Sequence, residues 1–260
     1  MIPPGSGHPR DHADLETPVA RTPAQVRRLA AGATSLEELD ARSSVCRACP
    51  RLVAWREQVA VERRAAYAHE QYWGRPVTGW GPQDATIAVV GLAPAAHGGN
   101  RTGRIFTGDR SGVWLFAALH RAGLASAPAS ISADDGLQLL GTRITLPVRC
   151  APPANKPTTT ERDTCAAWLV AEWRMLAPTV RAVVVLGGYG WAALWPVLRA
   201  AGATVPTRVP AFGHGVEVAL DGGPTVLGCF HVSQQNTFTG RLTEPMLDAV
   251  FARVRALSVA

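Results

Sequence analysis

Four of the five cysteines form two spaced pairs that are suited to binding metal. Two residues separate Cys46 from Cys49, and fourteen separate Cys150 from Cys165. The short first spacing lets two sulfurs reach one metal centre, and four thiolates can hold either a structural zinc ion or a [4Fe-4S] cluster. The spacing does not choose between these two, and ordinary buried thiols at Cys150 and Cys165 are a further alternative. Cys229 lies in an apolar run and is predicted to be a core residue.

A second set of reactive side chains lies in three polar loops, at residues 91–109, 150–160 and 231–243. The first is rich in glycine and ends at Asp109, the second presents Asn155 among prolines, and the third begins at His231. An amide or imidazole can stabilise developing negative charge, and a carboxylate can steady positive charge or orient water. Each residue also has a structural interpretation, as a helix cap for Asp109, a turn residue for Asn155 and a hydrogen-bonded side chain for His231.

The elements between these loops alternate between strand and helix. Continuous apolar runs predict buried strands at 85–90, 143–149 and 181–186, and a turn at 221–224 predicts a hairpin of 216–220 with 225–230. Helices are predicted at 35–41, 52–68, 111–122, 160–176 and 244–257, and a further helix follows the 181–186 strand and ends near residue 200. This order predicts a doubly wound parallel α/β fold. Ligands of such folds bind beyond the carboxyl ends of the strands, where the three loops are expected to converge.

Composition sets the remaining limits. The 260 residues are 47% hydrophobic and carry a net charge of +6, which excludes wholesale disorder. Residues 1–33 lack periodicity and are predicted to be a flexible tail, followed by a single domain over 34–260. No apolar run predicts a spanning helix or a secretory signal, so we expect a cytoplasmic protein with reduced cysteines. The basic excess is almost all arginine, which favours a polyanionic partner or reflects a general arginine bias.

Three stretches carry a resemblance to a known family. They are GLAPAAHGGNRTGRIFTGD at 91–109, VRCAPPANKP at 148–157 and HVSQQNTFTGRLT at 231–243. In this order they resemble the three motifs of the uracil-DNA glycosylase superfamily in its family 5, or type B iron–sulfur, form. The resemblance covers about 43–257. Ala95-Ala96-His97 departs from families 1 and 4 and agrees with type B, and the Lys-Arg-Arg-Ile-His stretch of covalently trapping members is absent.

The resemblance implies a three-layer α/β/α fold with a central four-stranded, mainly parallel sheet and a small hairpin. An N-terminal helical segment would be tied on by a [4Fe-4S] cluster at Cys46, Cys49, Cys150 and Cys165. It implies that Phe106 stacks on the extruded base, that His231 stabilises negative charge on it, and that Asp109 acts as general base or electrostatic partner of the sugar. With Asn155, the predicted base-binding residues are Gly91, Ala93, His97 and Phe106.

The same loops supply candidate DNA contacts. Phosphate contacts are predicted for Arg101, Arg104, Lys156 and Arg241. The alternative is that these charged side chains lie at the surface or brace the loops and contact no phosphate. Gln234, Gln235, Asn236 and Phe238 are candidates to fill the gap left in the duplex.

The predicted function is base excision repair. The enzyme would act on duplex and possibly single-stranded DNA and release uracil, hypoxanthine, xanthine or ethenocytosine. Lyase glycosylases need an amine and Lys156 is the only lysine, so we predict a monofunctional, monomeric enzyme without membrane partners. The alternatives are an iron–sulfur redox protein and a zinc-stapled, non-catalytic nucleotide- or DNA-binding module.

Overall fold

A five-stranded sheet lies at the centre of the computed structural model, which describes residues 5–259. The strands are β1 (Ile87–Val90), β2 (Thr142–Thr145), β3 (Ala182–Leu186), β4 (Glu217–Ala219) and β5 (Thr225–Cys229). Their order is β2-β1-β3-β5-β4; the first four in this order are parallel, and β4 runs antiparallel to β5. The prediction of a four-stranded sheet with a separate small hairpin is therefore wrong in its number of strands. One hairpin strand is itself the fourth parallel strand, so its partner joins the same sheet as a fifth strand and pairs its outer edge.

The helices of the described residues enclose this sheet. They are α1 (Pro23–Ala31), α2 (Leu36–Ser44), α3 (Pro50–Glu62), α4 (Gly99–Thr102), α5 (Arg110–Arg121), α6 (Thr159–Leu176), α7 (Gly188–Ala200), α8 (Gln234–Phe238) and α9 (Glu244–Ser258). Single 3-10 turns lie at Ala65–Tyr67 and Pro153–Asn155. In residues 5–259 no helix combines the length and the apolar character needed to cross a bilayer.

The sheet is buried on both faces, which produces the predicted three layers. Ile87 and Val89 pack in one core with α5 and α9, whereas Ala88 and Val90 pack in a second core with α6 and α7. Successive side chains of a strand point to opposite faces, so a strand covered by helices on both sides must be apolar throughout. Strand β2 ends at Thr145, earlier than predicted, because Pro147 has no N–H to continue the ladder.

The N-terminal segment differs from the predicted flexible tail over 1–33. The first four of these residues lie outside the described part of the chain. Within the rest, Thr22 caps α1 by accepting a hydrogen bond from the Gln25 N–H, and Val26 and Ala30 are buried where α1 packs on α6. The Thr-Pro start is a helix signal that the low periodicity of this stretch concealed. The folded domain therefore begins before residue 34.

A buried ion-pair network also fastens this segment to the sheet. Glu172 of α6 accepts hydrogen bonds from Arg143 Nε and Arg149 Nη2, both at 2.7 Å. Asp40 of α2 accepts from Arg143 Nη2 at 3.2 Å. Burial opposes ionisation of Glu172, but the two arginines outweigh it and hold its pKa below the usual value. Ion pairs thus join α2 to the sheet and to α6 beside the cysteines, since Arg149 also lines the cavity that the four cysteines share.

Candidate active site

The three loops meet at one cavity of about 310 Å³ beyond the carboxyl ends of the strands. Side chains or backbone of all three loops line it. The lining consists of Leu92, Ala93, Pro94, Ala95, Ile105, Phe106, Asp109, Ser111, Asn155, His231 and Ser233. The structure therefore brings together the aromatic ring, the carboxylate, the amide and the imidazole singled out in the sequence. This cavity is of the size that small organic ligands occupy.

Phe106 forms an apolar wall of the cavity and is held in a strained conformation. Its φ of 54° lies in the left-handed region, which residues with a side chain seldom adopt. Two glycines permit this placement. A Cβ on Gly112 would overlap the carbonyl oxygen of Phe106, and one on Gly91 would lie 3.1 Å from its ring. The ring is fixed with its centroid 6.1 Å from that of His231. Strain of this kind is characteristic of functional sites.

Asp109 lies at the start of α5, where its carboxylate can both cap the helix and face a ligand in the cavity. Its Oδ1 accepts a hydrogen bond from the Gly112 N–H at 2.8 Å, so it does cap the helix. It also lines the cavity. Burial raises the pKa of its carboxyl group, although the N–H groups of Gly112 and Ser111 and the charge of Arg101 act in the opposite direction.

His231 follows β5 and is electrically neutral at physiological pH. Burial lowers its pKa to about 4. Its Nδ1 has no hydrogen-bond partner among the residues that the structure describes, whereas its carbonyl oxygen accepts from Asn236 Nδ2 at 2.8 Å. A neutral, partly desolvated imidazole can donate a hydrogen bond to an oxygen that gains negative charge.

Asn155 reaches the cavity from the proline-rich loop, which is also strained. Asn155 and Ala154 have φ values of 55° and 53°. Within residues 5–259, only Arg63 and Phe106 share this property among non-glycine residues, so three of the four such residues belong to the cavity loops. Asn155 itself is exposed at the rim, where its amide offers both a donor and an acceptor.

A second, smaller cavity lies between α2, α3 and α6, and it is lined by Cys46, Cys49, Cys150 and Cys165. None of these four cysteines forms a disulfide. Burial, followed by the nearby sulfurs of Cys150 and Cys46, raises the pKa of Cys49 to about 12. Thiolates form at such a site only when positive charge compensates them. Arg56 Nη1 donates to Cys150 Sγ at 2.8 Å, and the Arg149 N–H donates to Cys165 Sγ at 3.4 Å.

Across residues 5–259, no three His, Cys, Asp or Glu side chains are grouped closely enough to share a single ion. Four thiolates are the ligand set of both a structural zinc ion and a [4Fe-4S] cluster.

Comparison with known proteins identifies the family. The model of the uracil DNA glycosylase superfamily matches residues 78–255. The chain belongs to the uracil-DNA glycosylase superfamily.

Several relatives in this superfamily are named type-5 uracil-DNA glycosylases. The one from Mycobacterium tuberculosis is 58% identical over 257 residues, covering 99% of this chain and 94% of the relative. The one from Thermus thermophilus is 48% identical over 215 residues, covering 83% and 94%. The one from Pyrobaculum aerophilum is 48% identical over 211 residues, covering 81% and 88%.

The other predicted base-binding residues of this superfamily member occupy different places. Ala93 lines the cavity, whereas Gly91 lies behind the Phe106 ring. His97 is outside the cavity lining, and its Nδ1 is hydrogen-bonded to the Tyr72 hydroxyl at 3.1 Å. The structure thus places the His97 ring beside Tyr72 and outside the cavity lining, and base binding by His97 stays a prediction.

Two of the predicted phosphate contacts require correction. Arg101 is 6% exposed and ion-paired with Glu70, and Arg104 is 3% exposed and ion-paired with Asp135 at 2.6 Å. Guanidinium groups that are buried and already paired cannot reach a phosphate, and they brace the glycosylase loop instead. Buried charges need such partners.

The remaining predicted DNA contacts stay predictions. Lys156, Gln234, Gln235 and Arg241 are exposed, and Asn236 holds the His231 backbone as described. The Arg241 guanidinium also lies over the Phe230 ring, 4.7 Å from its centroid.

Sequence reasoning missed some residues around the cavity. Ser111 and Ser233 line it, but single serines in polar loops carry no distinctive signal. Arg110, next to Asp109, places its guanidinium 5.3 Å from the centroid of the Phe238 ring, which is 67% exposed. The charge of Arg110 was visible in the sequence, but its pairing with α8 depends on tertiary structure.

Proposed function

We propose that this chain is a monofunctional DNA glycosylase that extrudes and hydrolytically releases uracil from DNA in base excision repair. Hypoxanthine, xanthine and ethenocytosine are proposed as further substrates. The observation that carries the proposal is the convergence of Phe106, Asp109, Asn155 and His231 on one cavity. The names of the type-5 relatives point to the same activity.

Base extrusion is the first step. Removing a nucleotide from the duplex costs a few kcal/mol, and less at a mispair. Stacking on Phe106 would return about 1–3 kcal/mol whichever base is bound, because every base has a π-face. The amide of Asn155 can donate to one edge atom and accept from another. This combination supports acceptance of several deaminated bases.

Cleavage breaks the bond between the base nitrogen and the anomeric carbon, and the bonding electron pair leaves with the base. His231 is neutral, so in this proposal it donates a hydrogen bond to the base oxygen that gains negative charge. Asp109 steadies the positive sugar and orients the water whose oxygen bonds to the anomeric carbon. The water loses one proton as its oxygen bonds to the carbon, and that proton neutralises the departing base, so the products are the free neutral base and an abasic sugar.

The proposal that the enzyme lacks lyase activity rests on the lysine content. A Schiff base with the abasic sugar requires an amine, and the single lysine, Lys156, is exposed and outside the cavity lining. Borohydride is therefore expected to trap no covalent complex with DNA.

We further propose that Cys46, Cys49, Cys150 and Cys165 hold a [4Fe-4S] cluster. The four cysteines line one cavity, and hydrogen bonds are donated to the sulfurs of Cys150 and Cys165; the likeness of the sequence to the type B form supports iron–sulfur over zinc. When bound, the cluster would supply structural support rather than hydrolysis, because cleavage involves no net electron transfer. Cys150 lies five residues before Asn155, so its bond to iron would brace the loop that presents the amide.

We also propose that the protein acts as a monomer. Because the proposed substrate is chromosomal DNA, the proposed place of action is the cytoplasm, on the nucleoid.

A base-release screen tests the proposed function. Duplexes carrying uracil opposite guanine or adenine, hypoxanthine, xanthine or ethenocytosine are incubated with purified protein, and uracil in a single strand is included. We expect release of uracil by the wild type and strong loss in Asp109→Asn. A protein with a reversible electron couple and no base release would instead be an iron–sulfur redox protein. Stoichiometric zinc without base release would indicate the zinc-stapled binding module.

A further inference from the structure

Arg101 makes contacts that connect two distant points of the glycine-rich loop. Its Nε donates to the carbonyl oxygen of His97 and its Nη2 to that of Gly108, both at 2.9 Å. Its Nη1 pairs with Glu70, and the guanidinium lies 3.9 Å from the centroid of the Tyr67 ring. The planar group is thus fixed on every side, as expected of an arginine used as a rigid fork.

The two carbonyl groups held by this fork flank Asp109. The Gly108 carbonyl belongs to the peptide that immediately precedes Asp109. The His97 carbonyl belongs to the peptide that leads into Gly98, and Gly98 packs directly on the Asp109 carboxylate, where a Cβ would overlap Oδ2. Arg101 therefore sets the separation of the two backbone segments between which the carboxylate lies.

We propose that Arg101 is a positioning residue for the reaction, holding the Asp109 carboxylate in its working geometry and in its charged form. This role rests on the proposed function of Asp109. It replaces the phosphate contact predicted from the sequence, which the burial of Arg101 excludes.

The electrostatic surroundings of Asp109 support the second half of the proposal. Burial disfavours its charged form. In the described part of the chain, Arg101 is the one charged side chain that lowers the pKa of this carboxyl group, and the N–H groups of Gly112 and Ser111 lower it as well. His231 shares the cavity but is neutral at physiological pH. Removing the Arg101 charge therefore makes ionisation of Asp109 harder.

The test compares Arg101→Gln and Arg101→Lys with the wild type in single-turnover release of uracil across pH. For Arg101→Gln we expect the rate to fall at least about tenfold, as for a misplaced catalytic group. We also expect the acid limb of its pH profile to move upward by about one pH unit, because a favourable charge is lost. Arg101→Lys keeps the charge but loses the fork, so its rate falls while the acid limb stays in place.

Two further readouts distinguish positioning from other roles. The salt dependence of duplex binding should be unchanged in Arg101→Gln, since a lost phosphate contact would reduce its logarithmic slope by about 0.9. In an Asp109→Asn background, either Arg101 substitution should add little further loss, because both act through one carboxylate. Arg27→Gln, which removes an exposed arginine charge on α1, away from the three loops, is the matched control for non-specific charge loss.

The proposal is overturned if Arg101→Lys retains the wild-type rate, if the salt slope falls in Arg101→Gln, or if the losses multiply independently in the double variants. Thermal melting establishes that each variant is folded. Should Arg101→Gln fail to fold, Arg101→Lys and its double variant with Asp109→Asn still decide the matter. A wild-type protein that releases no uracil overturns the proposed function itself, a result separate from the behaviour of the variants.

Discussion

Gly98 offers a sharp perturbation of the candidate site, because it has no side chain and lies directly against Asp109. In Gly98→Ala the new methyl group would overlap Asp109 Oδ2 and lie 3.0 Å from Cγ. Carbon atoms in contact prefer separations of about 3.5–4.0 Å, so the carboxylate must move by roughly 0.5–1 Å. A displacement of about 1 Å at a reacting group can cost about 100-fold in rate. We therefore expect single-turnover release of uracil to slow between about tenfold and 100-fold.

The assay measures the rate at saturating enzyme and the affinity for an uncleavable duplex in parallel. Affinity should change little, because Gly98 is not among the residues that line the cavity. Overpacking of this kind costs about 1–3 kcal/mol of stability, so folding is checked by denaturant titration. Gly32→Ala is the matched control, since its methyl group would meet nothing closer than 3.5 Å and lies at the end of α1. Equal rates for the two variants would refute the placement of Asp109 in the chemistry.

Three other predictions follow from the same geometry. The pKa of His231 is about 4 in the folded chain against an ordinary value of 6.5, so the unfolded chain binds an extra proton between these values. Stability should therefore fall by about 3 kcal/mol as pH drops from 6.5 to 4, and denaturant titrations of His231→Gln should show this dependence reduced. Asn155→Ala should slow uracil release by about 100-fold, as for a lost donor to developing charge, whereas a near-normal rate would remove the amide from the mechanism. Cys150→Ser and Cys165→Ser should lose visible absorbance, bound iron and solubility together, and full activity in a colourless variant would contradict the bracing role of the cluster.

The sheet and its layers could be predicted because their physical signals are local. The apolar runs that became β1 and β3 have no polar residue to place on either face, so only a strand covered on both sides can contain them. The pairing of β4 with the outer edge of β5 was harder to predict, because register between strands depends on tertiary contacts. Helix α1 was missed because its short, arginine-rich sequence has weak periodicity, and its stability comes from packing on α6.

The loops that form the site could be predicted from the sequence, whereas the roles of its charged side chains could not. The strand-terminal positions of Asp109, Asn155 and His231 follow from the fold class, since parallel strands end at one edge of the sheet. The sequence shows that Arg101 and Arg104 are charged but not that they are buried, and burial turns them from candidate DNA contacts into internal braces. Likewise, nothing in the sequence indicates that Tyr72 engages His97.

In the proposed complex, the three loops enclose one extruded base. A crystal structure of the Asp109→Asn variant with a duplex containing uracil opposite guanine would show where that base lies. We expect a uracil ring stacked on Phe106 and within hydrogen-bond distance of Asn155 and His231. A uracil that remains stacked in the duplex, or that occupies another surface of the protein, would contradict it.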